Sequence, residues 1–385
     1  MGTIEVSKGY SLLSDGHQAV EEAISGWSKE QRQRINFLLV YYSTKQDSQQ
    51  VAAALLAAFP DIPMAGCSTA GEFLDGARYE GSLVLMGIHS PEIRWQVGAL
   101  TDLRRFDPFM AQSLIQGMAA GFSTTVEQLD RSRHFAIVLQ DGLSMREELV
   151  TAALSMQLGD VTLLGGSAGD DLQFRQTTQI INGEVLTDAA VVIMGESDLP
   201  FAIIKDQHYV PSGALLVVTD ADVGQRRVST LDGRVAAEVY AEQVGVPYDQ
   251  LGEFDFGGHP LIYSERGEHY VRSIQRVEED GGLTFYCAIE AGMLLELGER
   301  EHPIGTLQRS LNRFQTTLGT VDLMLVFSCI LCKLETEDMT ERNRWGETLH
   351  QASPNIIGFD TYGEQLNGLH INQTLVAIGF SSGKG

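Results

Sequence analysis

The sequence predicts a mixed α/β protein in which largely antiparallel sheets are flanked by helices. Short apolar runs rich in β-forming residues alternate with segments whose apolar residues recur at helical spacing, and this order returns along the chain. Phe37–Tyr42 is such a run, and Val51 and Leu55 follow it at helical spacing. Phe135–Leu139 is a second such run, and it is followed by another segment with helical spacing that includes Leu154. We therefore expect internal repeats of strand, helix, glycine-rich turn and strand.

The second half of the chain predicts more strand than helix. Leu231–Val244 and Thr306–Leu318 carry apolar residues at helical spacing. Between them, His269–Ile274 and Leu283–Ile289 alternate apolar and polar residues, as half-buried strands do. We expect antiparallel sheet in this region.

The length of the chain allows two domains. Domains commonly contain about 100–200 residues, and this chain has 385 residues, of which 43% are hydrophobic. We expect an N-terminal helical extension over residues 1–30, one domain over residues 31–215 and a second, related domain over residues 216–385.

Composition argues against several classes of partner. The 51 acidic and 27 basic residues give a formal net charge of -24, which repels nucleic acid and anionic membranes. The first ten residues lack the basic and apolar segments of an export signal, and no stretch reaches the roughly 20 apolar residues of a membrane-spanning helix. The four cysteines are few for so long a chain. We expect a cytoplasmic protein with reduced thiols and without membrane insertion.

Two glycine-rich turns share a sequence pattern. Gly66–Glu72 and Gly358–Glu364 both read Gly-x-x-Thr-x-Gly-Glu, and the match continues without gaps to Ile88 and Phe380. A looser copy, Gly165–Asp170, lies between them. Every copy ends in a carboxylate and follows a strand and an amphipathic segment. This order indicates a repeated structural unit.

Turns of this composition either brace themselves or bind a ligand. Glycine permits positive φ and close backbone approach, while hydroxyl and carboxylate groups satisfy the backbone groups that the turn leaves free. Turn chemistry alone accounts for these residue types. In the ligand-binding interpretation, the candidate residues of the last copy are Thr361, Gly363 and Glu364.

The turns, together with Leu231–Tyr240 and Phe327–Cys329, resemble successive motifs of the FIST family. The resemblance covers nearly the whole chain and implies an N-terminal and a C-terminal FIST domain that sense small ligands in bacterial signal transduction. It adds Ser328 and Cys329 to the candidate ligand-binding residues. FIST C-terminal domains often carry a glycine- and arginine-rich stretch after Phe-Ser-Cys, whereas residues 329–335 here read Cys-Ile-Leu-Cys-Lys-Leu-Glu. The ligand class therefore does not transfer directly.

One branch of the family, the nitric-oxide-sensing proteins, binds haem and acts on partner histidine kinases or cyclic-di-GMP enzymes. Residues 328–333 and the ending between Tyr362 and Thr374 are similar to that branch. This resemblance implies haem b in an apolar pocket, with an imidazole on the iron and nitric oxide on the opposite face. The partner enzyme would then be supplied in trans.

Two of the nine histidines are candidate iron ligands. His350 lies late in the predicted helix Glu341–Ala352, and His370 follows the last glycine-rich turn. A lone histidine is more often a surface or hydrogen-bonded structural residue. The other candidate haem contacts are Trp345, Tyr362 and, for the propionates, Arg342 and Arg344.

Cys329 and Cys332 form a Cys-x-x-Cys pair. The pair fits a redox couple, half of a zinc site or part of an iron–sulfur site, but the sequence has no second such pair and no His-x-x-x-His to complete a tetrahedral site. Buried free thiols beside the predicted strand Leu323–Phe327 are the favoured interpretation. Either sulfur remains an alternative haem ligand.

An enzyme is the least favoured class. Gly165–Gly169 fits the Gly-x-Ser-x-Gly elbow of hydrolases, which requires a helix directly after Ser167. The polar, β-leaning run Gln173–Ile181 predicts strand and turn there instead. Haem-free binding of amino acids or related metabolites is the main alternative to nitric-oxide sensing, and a hydrolase is the second alternative.

Overall fold

The computed structural model describes residues 2–265, 267–336 and 339–383 and confirms the mixed α/β class. In the first unit of the chain, β2 and β3 are parallel strands joined by α3, and β6 returns between β2 and β1 in antiparallel direction. The hairpin β4–β5 leaves this sheet. The elements are β1 (Glu5–Ser11), α1 (Gly16–Ile24), α2 (Lys29–Arg34), β2 (Phe37–Tyr42), α3 (Ser48–Ala58), β3 (Met64–Ser68), β4 (Glu72–Leu74), β5 (Ala77–Tyr79) and β6 (Leu83–His89).

The second unit repeats this plan. Its parallel pair is β8 and β9, its return strand β12 lies between β8 and β7, and the hairpin β10–β11 again leaves the sheet. The copy that is weakest in sequence is therefore a complete structural repeat. Its elements are β7 (Ile93–Leu100), α4 (Pro108–Gly121), β8 (His134–Asp141), α5 (Glu147–Leu158), β9 (Leu163–Ala168), β10 (Gln179–Ile181), β11 (Glu184–Leu186) and β12 (Ala190–Ser197).

The third unit is split by residues 207–301, which we call the insert. The unit begins with β13 (Phe201–Asp206) and resumes after the insert. The insert folds as an antiparallel sheet of order β18-β17-β21-β14-β15-β20-β19. Its elements are β14 (Tyr209–Asp222), β15 (Arg227–Leu231), β16 (Arg234–Val235), α6 (Ala236–Val244), α7 (Glu253–Gly258), β17 (Leu261–Glu265), β18 (Glu268–Arg272), β19 (Ile274–Val277), β20 (Leu283–Phe285) and β21 (Leu294–Arg300).

The rest of the third unit has the same plan as the first two. The parallel strands β22 and β23 are joined by two helices, and β26 lies between β22 and β13. The elements are α8 (Pro303–Leu318), β22 (Leu323–Cys329), α9 (Ile330–Leu334), α10 (Met339–Ala352), β23 (Ile356–Thr361), β24 (Glu364–Leu366), β25 (Leu369–Ile371) and β26 (Leu375–Phe380).

The three units exchange their hairpins in a closed cycle. The hairpin β4–β5 of the first unit pairs with β23 of the third, β24–β25 of the third pairs with β9 of the second, and β10–β11 of the second pairs with β3 of the first. Each of the three six-stranded sheets therefore contains strands of two units. No unit can complete its own sheet without its neighbour.

The sheets share one central core. Phe135 of the second unit packs edge-on against Phe201 and Phe380 of the third, and Trp95 stacks on Phe37 of the first. Helices cover the outer faces, so the inner strands are buried on both sides and read as continuous apolar runs.

The insert docks on the second unit through a buried ion network. Arg226 donates to Glu147 at 2.6 Å and to Glu148 at 2.7 Å, and Glu148 also accepts the backbone amide of Ala288 at 2.7 Å. Burial lowers the pKa of Arg226, but the two carboxylates raise it by more, so the guanidinium stays charged. The position of the insert is thus fixed by named contacts.

Two predicted boundaries differ from the structure. Residues 1–30, expected as a helical extension, also contain β1, because Glu5–Ser11 pairs along its length with β6. The helix predicted over Leu231–Val244 begins only at α6. Asp232 and Gly233 have φ values of 51° and 74° and form a left-handed turn between β15 and β16, which a helix cannot contain.

None of the helices in the described part of the chain combines the length and apolar character that crossing a bilayer requires.

The close approach of the parallel strands generates a stability prediction. A Cβ atom on Gly66 would lie 2.0 Å from the carbonyl oxygen of Val40, and one on Gly358 would lie 2.1 Å from that of Val326. We expect Gly66→Ala and Gly358→Ala each to lower the free energy of unfolding by about 1–3 kcal/mol or more, measured by urea denaturation.

Gly117 is the matched control, since a Cβ there meets nothing within 4 Å inside α4. Gly117→Ala should raise stability by about 0.5–1 kcal/mol. Equal effects of the three substitutions would contradict the strand geometry.

Candidate functional site

The ends of β3, β9 and β23 meet at the centre of the molecule, where the glycine-rich turns exchange backbone hydrogen bonds. Asp360 donates its amide to the carbonyl of Gly71 at 2.7 Å, and Ala70 donates to the carbonyl of Asp360 at 3.2 Å. Because each turn is bound to the next, a displacement of one disturbs the others. The equivalent bonds join Ser167 with Gly363 and Tyr362, and Gly169 with Ser68.

Glu72 and Glu364 close the first and third turns on themselves. Glu72 is fully buried and accepts from the hydroxyls of Thr69 and Ser82, each at 2.5 Å. Glu364 accepts in the same way from Thr361 and, at 2.6 Å, from Thr374. These bonds brace each turn against the strand that follows it.

The second turn lacks this carboxylate. Gln179 occupies in β10 the place that Glu72 has in β4 and Glu364 has in β24. The sequence motif of the second copy does end in a carboxylate, Asp170, but that carboxylate does not occupy the place of Glu72 and Glu364. Asp170 belongs instead to a longer loop, where it accepts the backbone amides of Phe174, Arg175 and Gln176.

A cleft opens beside the third turn, between segments that are far apart in sequence. The space between its walls amounts to about 500 Å³ including its mouth, and its narrow interior to about 30 Å³. The hairpin of the first unit, the third unit and the start of the insert all contribute. The polar and aromatic lining residues are Arg78, Asp206, His208, Ser328, Cys332, Thr336, Glu341, Arg342, Trp345 and Thr374.

Asp360 lies behind the cleft lining, next to Arg78, with an incompletely satisfied carboxylate. Its side chain is 1% exposed, and within the described chain neither carboxylate oxygen has a hydrogen bond. Arg78 Nη2 and Lys333 Nζ are 3.6 Å and 3.8 Å away. Burial raises the pKa of Asp360 to about 6 even though both cations lower it. The cations compensate only part of the cost of burial.

Arg78 and Ser328 also have unused hydrogen-bonding atoms. The guanidinium of Arg78 lies over the rings of Trp345 and Phe73, with its carbon 4.2 Å and 4.8 Å from their centroids. Within the described residues, Arg78 Nε and Ser328 Oγ are buried without a hydrogen-bond partner. Buried polar groups are normally paired, and these two atoms are among the buried side-chain atoms of the described chain that lack a partner.

The cleft presents both signs of charge. Arg342 donates to the carbonyls of Thr336 at 2.6 Å and Lys333 at 3.2 Å, which orients its guanidinium. Asp206, held by Ser310 Oγ at 2.7 Å, and Glu341 supply carboxylates to the lining. A ligand with an acidic and a basic group would find a counter-charge for each.

Comparison with known proteins decides the family. The sequence matches the FIST N domain over residues 36–234 and the FIST C domain over residues 236–367. The chain belongs to the FIST family. This family is associated with sensing in signal transduction.

Individual relatives of this FIST protein add little about function. The uncharacterized protein MJ1623 of Methanocaldococcus jannaschii is 26% identical over 249 residues, which cover 60% of this chain and 47% of that protein. The chain thus spans about half the length of this relative. A crystal structure of cyanuric acid hydrolase from A. caulinodans is 10% identical, with a TM-score of 0.38, covering 99% of this chain and 100% of that one. A likeness of that size says nothing about function.

The structure brings some of the sequence candidates to the cleft of this FIST protein and leaves others elsewhere. Arg342, Trp345 and Ser328 line the cleft. Cys329 is buried behind it, while Cys332 borders it. Burial raises the pKa of both thiols well above the usual value, so both are poor thiolates. The candidates that lie outside the lining are Arg344, His350, Thr361, Tyr362, Gly363, Glu364 and His370.

The two candidate iron ligands do not fit a haem. His370 is buried in β25, and its Nε2 lies so close to Gly363 that a Cβ there would be 2.7 Å away. His350 is exposed at the end of α10, and a Cβ on Gly76 would lie 3.1 Å from its own Cβ. Neither imidazole borders the cleft. In the described residues no cluster of three His, Cys, Asp or Glu side chains is placed to hold a metal ion.

Sequence reasoning missed Arg78, Asp206, His208 and Asp360. Arg78 reaches the third unit only because its hairpin is exchanged, and nothing in a single sequence reveals that pairing. One signal was present: Arg78 and His370 occupy equivalent places in the repeat, as the registers of β5 and β25 confirm. Because the two side chains differ in chemistry, the fold does not require one particular residue type at this position of the repeat.

Tyr362 organises a strained loop on the far side of the third turn. Its hydroxyl donates to Asp170 at 2.6 Å and accepts from the amide of Leu172 at 2.8 Å, and its ring stacks on Phe174 at 5.1 Å. Asp171, Leu172 and Phe174 have φ values of 55°, 62° and 51°. Each such residue costs about 1–2 kcal/mol, so the surrounding bonds must hold the loop in place.

The buried carboxylates generate a pH prediction. Burial raises the pKa of Glu72 to about 7 and that of Glu364 to about 8. These groups stabilise the fold most below pH ~4.5, where the unfolded chain is also protonated, and the contribution is lost as pH rises through the folded values. We expect the free energy of unfolding to fall by a few kcal/mol between about pH 4.5 and 8.

Glu364→Gln keeps the shape of the side chain but cannot ionise, so the fall with pH should become smaller in urea titrations of this variant. Glu30→Gln, in the exposed part of α2, is the control and should leave the slope unchanged. A Glu364→Gln variant with the wild-type pH dependence would show that this carboxylate is ionised in the folded protein.

Proposed function

We propose that this FIST protein is a sensor of a small zwitterionic metabolite, such as an amino acid, which binds in the cleft between the first unit, the third unit and the insert. The metabolite's carboxylate is matched to Arg78 and Arg342, and its ammonium group to Asp206 and Glu341. Occupancy is then passed to a signalling partner in trans, a histidine kinase or a cyclic-di-GMP enzyme.

The observation that supports this most is the set of unpaired polar atoms beside the cleft. Arg78 Nε, Ser328 Oγ and both oxygens of Asp360 are buried and lack hydrogen bonds in the described structure. Leaving a buried polar group unpaired costs about 1–3 kcal/mol. A ligand that supplies both a donor and an acceptor removes that cost and thereby gains affinity.

The narrow interior of the cleft means that a ligand must move its walls. An interior of about 30 Å³ holds no more than water, whereas ligand pockets usually measure about 300–1,000 Å³. The walls that can part are α10, with Arg342 and Trp345, and the hairpin with Arg78. Binding therefore separates or draws together elements of two units.

The cleft is connected to the insert through Glu335. This residue follows α9 and accepts from His208 Nε2 at 2.7 Å and from Tyr209 Oη at 3.1 Å. Gln373 also donates to Glu335 and, at 3.0 Å, to the carbonyl of Gly257. Because His208 lines the cleft, a ligand that moves it alters the contacts between the third unit and the insert. That displacement is the signal we propose.

A haem sensor and a hydrolase receive less support from the geometry. The two candidate iron ligands, His350 and His370, do not border the cleft. Ser167, the nucleophile of the hydrolase alternative, is fully buried, and its Oγ accepts from Gln365 Nε2 at 2.8 Å. The described chain continues from Ser167 into a loop rather than a helix.

Ligand-dependent thermal unfolding with a panel of the standard amino acids tests the proposal. We expect at least one to raise the melting temperature, by an amount that grows with concentration because stabilisation follows RT ln(1 + [L]/Kd). Arg342→Ala should weaken that ligand about tenfold or more, since a charge-assisted hydrogen bond contributes about 1.5–3 kcal/mol.

Arg344→Ala is the matched control, because Arg344 is exposed on the same helix and does not line the cleft. It should leave the ligand response unchanged. Equal losses in the two variants, or no response to any amino acid, would contradict the proposed ligand. A Soret band that disappears in His350→Ala or His370→Ala would establish the haem sensor instead.

A further inference from the structure

An exposed apolar surface surrounds Tyr362, on the side of the third turn away from the cleft. Phe174, Met145 and Leu172 are 50%, 47% and 39% exposed. Leu143 and Leu331 are half-buried and pack against Tyr362, Ala70 and Ile330. We call this set of five, Leu143, Met145, Leu172, Phe174 and Leu331, the loop patch. It is formed by loops of the second unit and by α9 of the third.

The backbone holds these side chains outward at a cost. Met145, Leu172 and Phe174 all have positive φ, at 58°, 62° and 51°, which bulky residues rarely adopt. The loop that carries Leu172 and Phe174 does not relax, because Asp170 accepts three of its amides and Asp171 accepts the hydroxyls of Ser43 and Thr44, each at 2.7 Å. A strained, well-anchored loop that displays large apolar groups is typical of a functional contact surface.

Two exposed arginines lie beside the loop patch. Arg146 follows Met145 and Arg175 follows Phe174; both are exposed, and neither has an ion pair within the described residues. Arg146 also donates to the carbonyl of Arg104 at 3.3 Å, and Arg104 itself pairs with Asp188 at 3.9 Å. Arg146 and Arg175 are therefore the two arginines beside the loop patch that a partner's carboxylates can pair with.

We propose that the loop patch is the docking surface for an amphipathic helix of a partner protein, one with an apolar face flanked by carboxylates. Phe174, Met145 and Leu172 receive the apolar face, and Arg146 and Arg175 pair with the flanking carboxylates. Phenylalanine, methionine and arginine are residue types enriched at protein interfaces, and an apolar stripe of leucines at helical spacing fits a shallow apolar surface.

The charges distinguish this occupant from the others. In a symmetric dimer the patch would meet itself, which would place Arg146 and Arg175 of both copies together. Nucleic acid and anionic lipid are repelled by the overall charge of -24. An acidic segment attached to a partner satisfies the arginines at the surface without bringing a large like charge close to it.

A synthetic helix tests the surface without knowledge of the natural partner. The probe is a fluorescein-labelled peptide of about 18 residues, long enough to form a helix, with leucine at i, i+3, i+4 and i+7, glutamate only at the positions that flank this stripe and glutamine elsewhere. We expect fluorescence anisotropy to show saturable binding to the full chain that weakens as ionic strength rises. Phe174→Ser and the pair Arg146→Glu with Arg175→Glu should each weaken binding by tenfold or more.

The controls separate specific docking from general stickiness and from misfolding. Phe109→Ser removes a phenylalanine that is 72% exposed on α4 and should leave binding unchanged. A scrambled peptide of equal composition and a peptide with lysine in place of glutamate should bind at least tenfold more weakly. Circular dichroism and thermal melting confirm that each variant is folded.

Three results would overturn the proposal. These are equal binding of the scrambled or lysine peptide, wild-type affinity of the folded Phe174→Ser variant, and failure of the acidic peptide to bind at all. Light scattering provides a further check, because a dimer that Phe174→Ser dissociates would make a second copy of this chain the occupant.

Discussion

The exchange of hairpins between neighbouring units is the interaction on which the rest of the structure depends. Each short hairpin completes a sheet that belongs to the next unit, so the three sheets close into a cycle. The ends of the parallel strands then meet at one point, and the glycine-rich turns bind one another there through backbone hydrogen bonds. Glycine at Gly66 and Gly358 follows from the same geometry, since the neighbouring carbonyls leave no room for a Cβ.

The cycle also creates three equivalent places, of which one is open. Arg78, Val185 and His370 occupy the same register position on the three hairpins. Val185 packs into an apolar cluster, and His370 is covered by the insert, whose Arg272 donates to its carbonyl at 2.8 Å. Only at Arg78 do charged and unpaired polar atoms border a cleft within the described chain. The same position of the repeat thus makes an apolar contact at Val185, lies against the insert at His370 and borders the candidate ligand site at Arg78.

Much of the fold could be predicted from the sequence, whereas the candidate site could not. The apolar run Phe37–Tyr42 and the repeat that joins Gly66–Glu72 to Gly358–Glu364 predicted strands, turns and a repeated unit, all of which the structure contains. These features are local, and apolar periodicity and turn chemistry report them directly. The cleft depends on contacts between residues that are far apart in sequence, such as the ion pair between Arg78 and Asp360. A single sequence carries no signal for such contacts. The histidine candidates stay predictions, because residue type indicates possible chemistry but not room for a ligand.

Native-state hydrogen exchange tests the closed cycle most directly. The amides of Phe73 in β4, Ile180 in β10 and Gln365 in β24 lie in the three exchanged hairpins. If the hairpins hold the units together, these three amides should exchange only when the whole cycle opens. Their free energies of opening should then be equal and should fall equally with denaturant concentration. A hairpin that exchanges through a separate opening of low free energy, while the other two stay protected, would contradict the account.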